Sequence, residues 1–589
     1  MIKDQMYPDY VKQIPKIDLP EFCEALRQKL IDSISNTGGH IGVNLGVIEL
    51  TVALYRVFDF PTDSLIWDIG HQIYVQRMIT GRMLQLNEIR QNGGSPGYSN
   101  SDYNNYERVT SSHAGASLSL GLGVALSNQL NNDSSISIAV IGDGSYVEGS
   151  TQEAINHMAV ENCKMLVVLN DNEMALDNNF GGIHEYFKSR QSGTDEKETY
   201  FSSLGIPYDG PIDGHDVLML VEKLEEIKNN LAKPTILHVK TIKGKGLEHM
   251  ADKSPVRIHW NFPFNPVTGE NTENPKAKSY AAFGGKVIDE ILTEDENAVL
   301  ISPATLQNTG IFNAFNNHKT RSFDVSLAEQ HSMTLSGGFA LQGKKPILCF
   351  ESTFMPRVFD QLVHDVCINN LPVLIVSVRS GHTGLDHLTH HAMLDISYLR
   401  CIPNLRILYP STTLNFAAAI KKEYSRLSCP TIILSPYANT LDDPENEIKS
   451  DTDKSFKKTS NARGIILSVG PQNINAVSLK GLMDDQDILF DHMAVTMISP
   501  IADPLINILS DYEYIITMEE GILQGGFGSR ILEVLSDNHL KANVLRVGFD
   551  KKLIEHGTRD YIYKKYKIDY KSIFEQLKVI WPELIGGNK

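Results

Sequence analysis

The chain has 589 residues, 42% of them hydrophobic and 21% charged, and because this length exceeds what one hydrophobic core supports, we expect three or four globular domains. The formal net charge of −17 argues against nucleic acid or an anionic membrane surface as the main partner. The six cysteines are scattered and form no CxxC pair, which indicates a reducing cytoplasm rather than a disulfide framework or a zinc site. No apolar run is long enough to span a bilayer and the N-terminus has no apolar core segment, so we predict neither a membrane span nor a signal peptide.

Two histidines stand beside glycines in the first part of the chain. A helix is predicted over residues 21–36, and His40 follows a glycine pair before a second helix that is predicted to start near Val47. His71 follows a short apolar strand and a glycine, at a predicted helix start. A lone histidine is more often structural than catalytic, but two in this setting favour a functional role.

The stretch from Ser137 to Met174 has the pattern of a strand, a helix and a second strand. The strands are predicted at Ile136–Ile141 and Met165–Leu169, and an amphipathic helix lies between them. A segment of this size is typical of a βαβ unit with parallel strands. Asp143 and Asn172 then lie just past the carboxyl ends of neighbouring strands, where open α/β sheets bind ligands.

These two side chains suit a metal and a diphosphate. A carboxylate and an amide oxygen are hard ligands for Mg²⁺, which often bridges to phosphates. The glycines around Asp143 allow close backbone approach, and the following helix N-terminus favours an anion. The alternative is an ordinary turn whose aspartate caps the helix. The matching asparagine after the second strand favours the metal–diphosphate site.

A GDG turn followed after one helix by an asparagine resembles the thiamine-diphosphate (ThDP) motif of transketolase-like enzymes. The surrounding residues are most similar to the 1-deoxy-D-xylulose-5-phosphate synthase family, from about Tyr7 to the C-terminal region. The resemblance implies an α/β fold of three doubly wound, transketolase-like domains, at residues 1–275, 279–440 and 460–589. It also implies a homodimer and an active site between the first two domains, whereas the third domain serves interdomain and dimer contacts.

The resemblance implies roles for residues of the first domain. His40 and His259 would transfer protons. The Mg²⁺ ligands would be Asp143, Asn172 and the backbone carbonyl of Met174. Cofactor contacts would come from His71, Ser112, His113, Ala114, Gly144, Ser145, Asn172 and Leu247. Ser112 replaces the family's glycine and Leu247 replaces its tyrosine. Residues 176–204 are polar and irregular, so we predict a surface loop with little fixed structure.

The second domain is predicted to alternate helices with strands near Ala298–Ile301, Ser322–Ser326, Lys345–Phe350 and Val373–Val378. A helix is predicted to start at Ser279, after a polar linker. Glu329 opens a helix after a strand, where a carboxylate is favourable with the helix dipole. The resemblance implies instead that Glu329 meets the cofactor's pyrimidine ring nitrogen, because a buried carboxyl group has a raised pKa and can share a proton.

Further residues of the second domain match the family's active site. Phe354 would stack on the pyrimidine, His390 would relay protons, and the substrate contacts would be Arg357, Arg379, Asp386 and Tyr437. The chain departs from the family at Glu351, which replaces a tyrosine, and at His387, which replaces a glycine. Tyr437 stands where the family has an arginine for the acceptor's phosphate, and a phenol cannot supply a bidentate charged fork.

The sequence therefore predicts a ThDP- and Mg²⁺-dependent transferase. The implied reaction joins pyruvate to D-glyceraldehyde 3-phosphate, releases CO₂, and yields a precursor of isoprenoids, thiamine and pyridoxal. One alternative is a paralogous transketolase-like enzyme with a different donor or acceptor, which the departures at Leu247, Glu351, His387 and Tyr437 favour. Another is a non-catalytic paralogue that binds ThDP or a partner, against which the intact Asp143, Asn172 and Glu329 argue.

Overall fold

The computed structural model describes residues 6–174, 181–190, 199–251, 259–272, 279–437, 456, 458–550 and 553–584. The chain forms two compact units. The first comprises Met1–Pro275 with the short segments Ser326–Ala328 and Leu385–Thr389, and the second comprises the rest. The division into three domains stays a prediction. Within the described ranges, no helix is both long enough and apolar enough to cross a membrane.

The first unit contains one parallel sheet. Its five strands are β1 (Ser64–Trp67), β2 (Ser137–Gly142), β3 (Met165–Asp171), β4 (Tyr208–Asp213) and β5 (Thr235–Lys240), in the order β1-β2-β3-β5-β4. β2 and β3 are short apolar runs that are buried along almost their whole length, as expected for strands covered on both faces.

Helices surround this sheet. The longest, Leu19–Thr37, buries a stripe at Phe22, Leu26, Leu30 and Ile34, which is the spacing of one helical face. The other α-helices are Pro8–Gln13, Ile41–Leu45, Ile48–Val57, Tyr74–Arg77, Ser117–Leu130, Gly149–Met158, Gly182–Ser189, Tyr200–Ser203, Val217–Asn230 and Glu248–Ala251. Shorter 3₁₀ or π turns lie at Lys16–Asp18, Met78–Arg82, Met83–Glu88 and Ser145–Val147.

The predicted βαβ unit is confirmed. β2 and β3 pair in parallel, with Gly142 opposite Asn170 at their carboxyl ends, and the helix Gly149–Met158 connects them. β3 extends two residues beyond the predicted end, because Asn170 and Asp171 continue the ladder with Val239 and Lys240 of β5.

The prediction of little fixed structure over residues 176–204 is wrong for part of this segment. Gly182–Ser189 and Tyr200–Ser203 are helices. Their Phe187 and Phe201 are buried, with ring centroids 5.2 and 5.8 Å from that of Tyr146. Two buried aromatic side chains thus pack these helices against Tyr146, although the composition of the segment is mostly polar. Residues 175–180 and 191–198 lie outside the described residues.

The described residues of the second unit form two sheets. Their strands are β6 (Ala298–Ser302), β7 (Ser322–Asp324), β8 (Lys345–Glu351), β9 (Leu374–Ser380), β10 (Arg406–Leu408), β11 (Thr431–Pro436), β12 (Gly464–Ser468), β13 (Phe490–Ala494), β14 (Met497–Ser499), β15 (Tyr514–Ile522) and β16 (Asn543–Phe549). The larger sheet has the order β14-β10-β11-β9-β8-β6-β7 and the smaller β13-β12-β15-β16. The four strands predicted between residues 298 and 378 are present with shifted ends, and β7 stops early because Ser326 has a left-handed φ of 58°.

The helices of this unit alternate with its strands. Ser279 caps the helix Tyr280–Glu294 by accepting the Ala282 N–H at 3.1 Å, and Glu329 begins the helix Glu329–Leu341; both starts are as predicted. The remaining α-helices are Phe312–Asn317, Phe359–Gln361, Asp395–Leu399, Thr413–Ser425, Gln472–Asp484, Asp503–Leu509, Phe527–Asp537, Arg559–Lys565 and Tyr570–Ile580. 3₁₀ or π turns lie at Lys319–Arg321, Ser352–Val358, Leu362–Cys367, Leu388–His390 and Pro582–Leu584.

β14 lies in the larger sheet although its residues belong to the predicted C-terminal domain. β14 pairs antiparallel with β10, Ile407 opposite Ser499 and Leu408 opposite Met497, so a stretch predicted for the C-terminal domain completes the larger sheet. Ile498 is fully buried. Both sheets are otherwise parallel among the described strands.

Candidate active site

Asp143 and Asn172 lie side by side at the carboxyl edge of the first sheet. Asp143 directly follows β2 and Asn172 directly follows β3. The backbone N–H of Asp143 donates to the Asn170 carbonyl at 3.2 Å, which keeps the two strand ends together. Asp143 is buried and Asn172 is half-buried. The structure therefore brings together two of the three predicted metal ligands as the strand pattern indicated.

The turn after Asn172 carries the third predicted ligand. The Asn172 Oδ1 atom accepts the Met174 N–H at 3.2 Å, and Glu173 between them has a left-handed φ of 63°. Among the described residues, no group of three or more His, Cys, Asp or Glu could hold a metal. A metal here would therefore rely on the carboxylate, the amide oxygen and a backbone carbonyl, and such an all-oxygen set fits Mg²⁺.

A buried aspartate that the sequence reading missed connects the surrounding turns. Asp68 accepts the backbone N–H groups of Gly115 and Ser117, both at 3.0 Å, and the Ser145 hydroxyl. Burial raises the pKa of its carboxyl group. Asp68 directly follows β1 as Asp143 follows β2, so its position at a strand end was the signal that could have identified it. Asp68 fixes the His113 turn and the Gly144–Ser145 turn against each other.

The predicted histidines of the first unit gather into one cluster. The ring centroids of His40, His71 and His259 lie 5.3–5.6 Å apart. The His40 Nε2 atom is 3.1 Å from the hydroxyl of buried Tyr98, whose ring stacks on His71. Burial, with the nearby Lys243, lowers the pKa of both His71 and His259 well below the usual range. Both rings are therefore neutral at pH 7, and each is protonated less readily than an ordinary histidine.

A buried asparagine positions two of these histidines. The Asn44 side chain donates to the backbone carbonyls of His40 at 2.8 Å and His71 at 2.7 Å. Its Oδ1 atom accepts the Tyr74 N–H at 2.8 Å. All three hydrogen bonds go to the backbone, which no sequence pattern reveals.

The segment that carries Tyr98 is held by a buried arginine. The Arg77 guanidinium donates to the carbonyls of Pro96 at 2.6 Å and Tyr98 at 2.9 Å. It also forms a bidentate pair with Glu107 at 2.9 and 3.0 Å. Although burial alone would raise the pKa of Glu107, Arg77 and Arg82 hold it at about 2.

The two departures Ser112 and His387 meet at one hydroxyl. The Thr389 Oγ1 atom lies 2.6 Å from the His387 Nδ1 atom and contacts the Ser112 Oγ atom. Ser112 in turn lies 3.3 Å from the His113 Nδ1 atom. His387 is fully buried, and its ring lies 5.8 Å from that of Tyr98. A hydrogen-bonded path thus runs from His113 to His387.

Asp386 is already engaged by its own unit. Its Oδ1 atom accepts from the Arg90 Nε atom at 2.6 Å and from the Trp260 Nε1 atom at 3.2 Å. The Arg90 guanidinium also lies over the Trp260 ring, 4.6 Å from its centroid. A substrate contact of Asp386 would therefore share this carboxylate with a cation.

The remaining predicted contacts of the first unit occupy turns and the core. Gly144 and Ser145 form the start of a 3₁₀ turn directly after Asp143. Ala114 is buried in the His113 turn. Leu247 is 3% exposed and packs in the hydrophobic core.

In the second unit, Glu329 is buried at the first position of its helix. Phe354 and Arg357 lie in the 3₁₀ turn Ser352–Val358, both half-buried, and Phe354 packs against the core. His390 is half-buried at the end of the turn Leu388–His390. Of these residues, only Glu329 was predicted at the end of an element, and it begins its helix as predicted.

Arg379 contacts two residues that depart from the family pattern, Glu351 and Tyr437. Its Nη1 atom donates to the Oε2 atom of buried Glu351 at 3.0 Å, and Asn308 donates to the other carboxylate oxygen at 2.6 Å. The guanidinium lies 5.0 Å from the centroid of the Tyr437 ring. Glu351 and Tyr437 therefore cover the charge and one face of the predicted phosphate-binding arginine.

Comparisons with known proteins identify the family. Residues 2–199 and 189–241 match the model of 1-deoxy-D-xylulose-5-phosphate synthase. The 1-deoxy-D-xylulose-5-phosphate synthase of Cytophaga hutchinsonii is 34% identical to this chain, over 96% of this chain and 96% of its own length. The synthase of Caldanaerobacter subterraneus subsp. tengcongensis is also 34% identical, over 100% of each chain. The chain belongs to the 1-deoxy-D-xylulose-5-phosphate synthase family. The synthase of Clostridium beijerinckii is 32% identical over 96% of this chain and 97% of that one.

The other family models agree with membership of this synthase family. Residues 276–441 match the transketolase pyrimidine binding domain and residues 460–573 match the transketolase C-terminal domain. The predicted transketolase-like α/β fold and the predicted transketolase class of enzyme are thereby confirmed. The roles of the individual site residues stay predictions.

Proposed function

We propose that this synthase-family enzyme joins pyruvate to D-glyceraldehyde 3-phosphate, with release of CO₂, to form 1-deoxy-D-xylulose 5-phosphate. The observation that carries the proposal is the placement of Asp143 and Asn172 side by side after parallel strands, in a chain that aligns with synthases over its whole length. This edge of a parallel sheet is where such folds bind their ligands.

The residues present fit ThDP and Mg²⁺. Asp143, Asn172 and the Met174 carbonyl would hold the metal. The cofactor would be held by His71, Ser112, His113, Ala114, Gly144, Ser145, Leu247, Glu329 and Phe354. When bound, ThDP supplies the electron sink that decarboxylation of pyruvate needs.

The chain's own residues would move and hold protons. Glu329 is buried at a helix start, where its carboxyl group would share a proton with the cofactor's pyrimidine ring. His71 and His259 are held neutral, and we assign proton transfer to His259 together with His40 and His390. Arg357, Arg379, Asp386 and Tyr437 would bind the substrates.

A second candidate function is supported by the ion pair that Arg379 forms with Glu351. Its ion pair with Glu351 and its stacking with Tyr437 reduce the positive charge offered to a phosphate, and a lost charged hydrogen bond costs about 1.5–3 kcal/mol. We therefore keep an unphosphorylated aldehyde as the alternative acceptor, in an enzyme that is otherwise the same.

One experiment separates these functions. Purified protein would be given ThDP, Mg²⁺ and ¹³C-labelled pyruvate, with glyceraldehyde 3-phosphate or unphosphorylated glyceraldehyde in parallel, and products would be identified by mass. Labelled 1-deoxyxylulose 5-phosphate supports the proposed synthase activity. Preference for glyceraldehyde, or CO₂ release without either product, supports a different acceptor. Failure to bind ThDP in the presence of Mg²⁺ would support a non-catalytic paralogue.

We also propose a cytoplasmic homodimer. All six cysteines are unpaired and four are buried, which fits a reducing compartment. The dimer rests on the family resemblance, and light scattering that gives the mass of one chain would contradict it.

A further inference from the structure

The loop Gly381–Ala392 carries two of the proposed substrate and proton-transfer residues, Asp386 and His390. It follows β9 directly and closes on itself, because the Ala392 N–H donates to the Gly381 carbonyl at 2.8 Å. Its two ends are therefore fixed to each other, and any group that holds one end also positions the other.

A buried carboxylate of the C-terminal region holds the first end. Glu520, in β15, is 4% exposed. Its Oε1 atom accepts the backbone N–H of His382 at 2.7 Å. Its Oε2 atom accepts from the Arg559 Nε atom at 2.6 Å and from the Tyr563 hydroxyl.

Arg559 completes the clamp. Its Nη2 atom donates to the His382 carbonyl at 3.0 Å, so the ion pair satisfies both backbone polar groups of His382. Although burial alone would lower the pKa of Arg559, Glu520 raises it above the usual value, and the guanidinium stays charged. Breaking a buried charge pair is costly because it leaves an uncompensated charge. The contact between the loop and β15 is therefore strongly stabilised.

The loop backbone at Gly381 lies close to the Glu520 carboxylate. Its φ is +77°, and a Cβ atom there would lie 2.5 Å from the Glu520 Oε1 atom. Only glycine combines this backbone conformation with the available space.

The second end is held by another part of the same region. The His391 ring stacks on His382 with centroids 4.4 Å apart, and its Nε2 atom lies 3.1 Å from the Glu555 carbonyl. The Gly557 N–H donates to the Gly384 carbonyl at 3.0 Å. Glu520, Glu555, Gly557 and Arg559 thus contact the loop near both of its ends.

We propose that Glu520 and Arg559 are positioning residues for acceptor binding, which hold the ends of the loop Gly381–Ala392 so that His390 meets the aldehyde. The inference rests on the proposed function, because that function assigns proton transfer to His390. It gives the C-terminal region a part in the reaction beyond interdomain contacts.

The test is the kinetics of Arg559→Met. We expect the KM for the aldehyde to rise at least tenfold while the KM for pyruvate changes by less than twofold. Arg559→Lys should lie between, since a lysine can pair with Glu520 but offers no planar fork for the His382 carbonyl. A merely structural role would lower the active fraction, and therefore kcat, without changing either KM.

The matched control is Arg546→Met. Arg546 lies in the neighbouring β16 and donates to the Leu523 carbonyl at 3.1 Å and the Ser529 hydroxyl at 3.0 Å, rather than to the loop. We expect it to leave the aldehyde KM within twofold. An equal rise in both variants would overturn the inference.

Hydrogen exchange supplies a readout that does not need turnover. The His382 amide should exchange at least tenfold faster in Arg559→Met than in Arg546→Met. Unchanged exchange, or an unchanged aldehyde KM in an active enzyme, overturns this inference alone. If the unsubstituted protein turns over neither aldehyde, the proposed function fails first and this inference fails with it.

Discussion

At the scale of single residues, Glu329 is the side chain on which turnover should depend most. Glu329→Ala is expected to abolish turnover, a loss of at least about 100-fold, because proton transfer by a positioned group contributes that much. The fold should persist, since a carboxylate at a helix start contributes only about 0.3–1 kcal/mol. Turnover and thermal unfolding are measured together, with the exposed Glu296→Ala as control. Retained activity would contradict the assigned role.

Ser112 and His387 should act as one unit, because both contact the Thr389 hydroxyl. Each replacement by the family's glycine breaks the same path. We therefore expect kcat/KM of Ser112→Gly, His387→Gly and the double variant to be non-additive by about 0.5–3 kcal/mol. Combining Ser112→Gly with His157→Ala, an exposed histidine, should be additive. Additivity in both cycles would show that the path has no catalytic effect.

The residues found from sequence and those missed differ in what they bond to. Asp143 and Asn172 were predictable because the ends of parallel strands meet at one edge. Asn44, Asp68 and Arg77 were not found, because their partners are mostly backbone groups of segments distant in sequence. Such contacts leave no periodicity, and a buried polar residue is recognised only once its neighbours are known.

At the scale of elements, Arg77 holds the segment that brings Tyr98 to His40. Arg77→Met removes the bidentate ion pair and leaves the Glu107 carboxylate buried without it. We therefore expect the free energy of unfolding at pH 7 to fall by about 3–5 kcal/mol. Because the pKa of Glu107 is lowered from 4.5 to about 2, its ion pairs stabilise the protein fully above pH 4.5 and progressively less as the pH falls toward 2. The loss in the variant should shrink over that range, as urea unfolding at several pH values would show.

The control for this variant is Lys223→Met. Lys223 forms partly exposed ion pairs with Asp209 and Glu226, and such pairs contribute only about 0–1 kcal/mol. A loss in Arg77→Met no larger than in this control would contradict the role of the buried cluster.

Element boundaries were predicted well where a local signal existed. Ser279 and Glu329 mark helix starts in the sequence and in the structure. The helix Gly182–Ser189 was missed because one buried phenylalanine in a polar segment is a weak signal, and its aromatic partners come from Tyr146 and Phe201. Tertiary contacts, rather than local preference, decide that segment.

At the scale of the whole molecule, the pH dependence of stability should reflect Asp395. This carboxyl group is buried at hydrogen-bond distance from Ser380 (2.6 Å), and burial raises its pKa from 3.8 to about 7. A raised carboxyl pKa makes the folded state bind more protons, so stability falls as the pH rises from about 4 to 7. The loss is on the order of 4 kcal/mol. Asp395→Asn should reduce the change in the midpoint of thermal unfolding with pH over this range. Asp503→Asn, at an exposed position, should leave that pH dependence unchanged.

The order of the strands was the global feature that the sequence could not supply. Hydrophobic runs predicted the strands between residues 298 and 378, but not that β14 would join the sheet of β6–β11. A three-residue strand carries little pattern of its own, and its place is set by the free edge of β10.

That edge has a consequence for how the protein is made. As the chain leaves the ribosome, β6 to β11 emerge first, and β10 keeps one row of unpaired backbone groups until residues 497–499 follow. An open strand edge is a template for pairing with another chain. The interval between the synthesis of β11 and that of β14 is therefore a period in which this edge of β10 is open to pairing with another nascent chain. Slower translation of residues 437–496 would lengthen this interval.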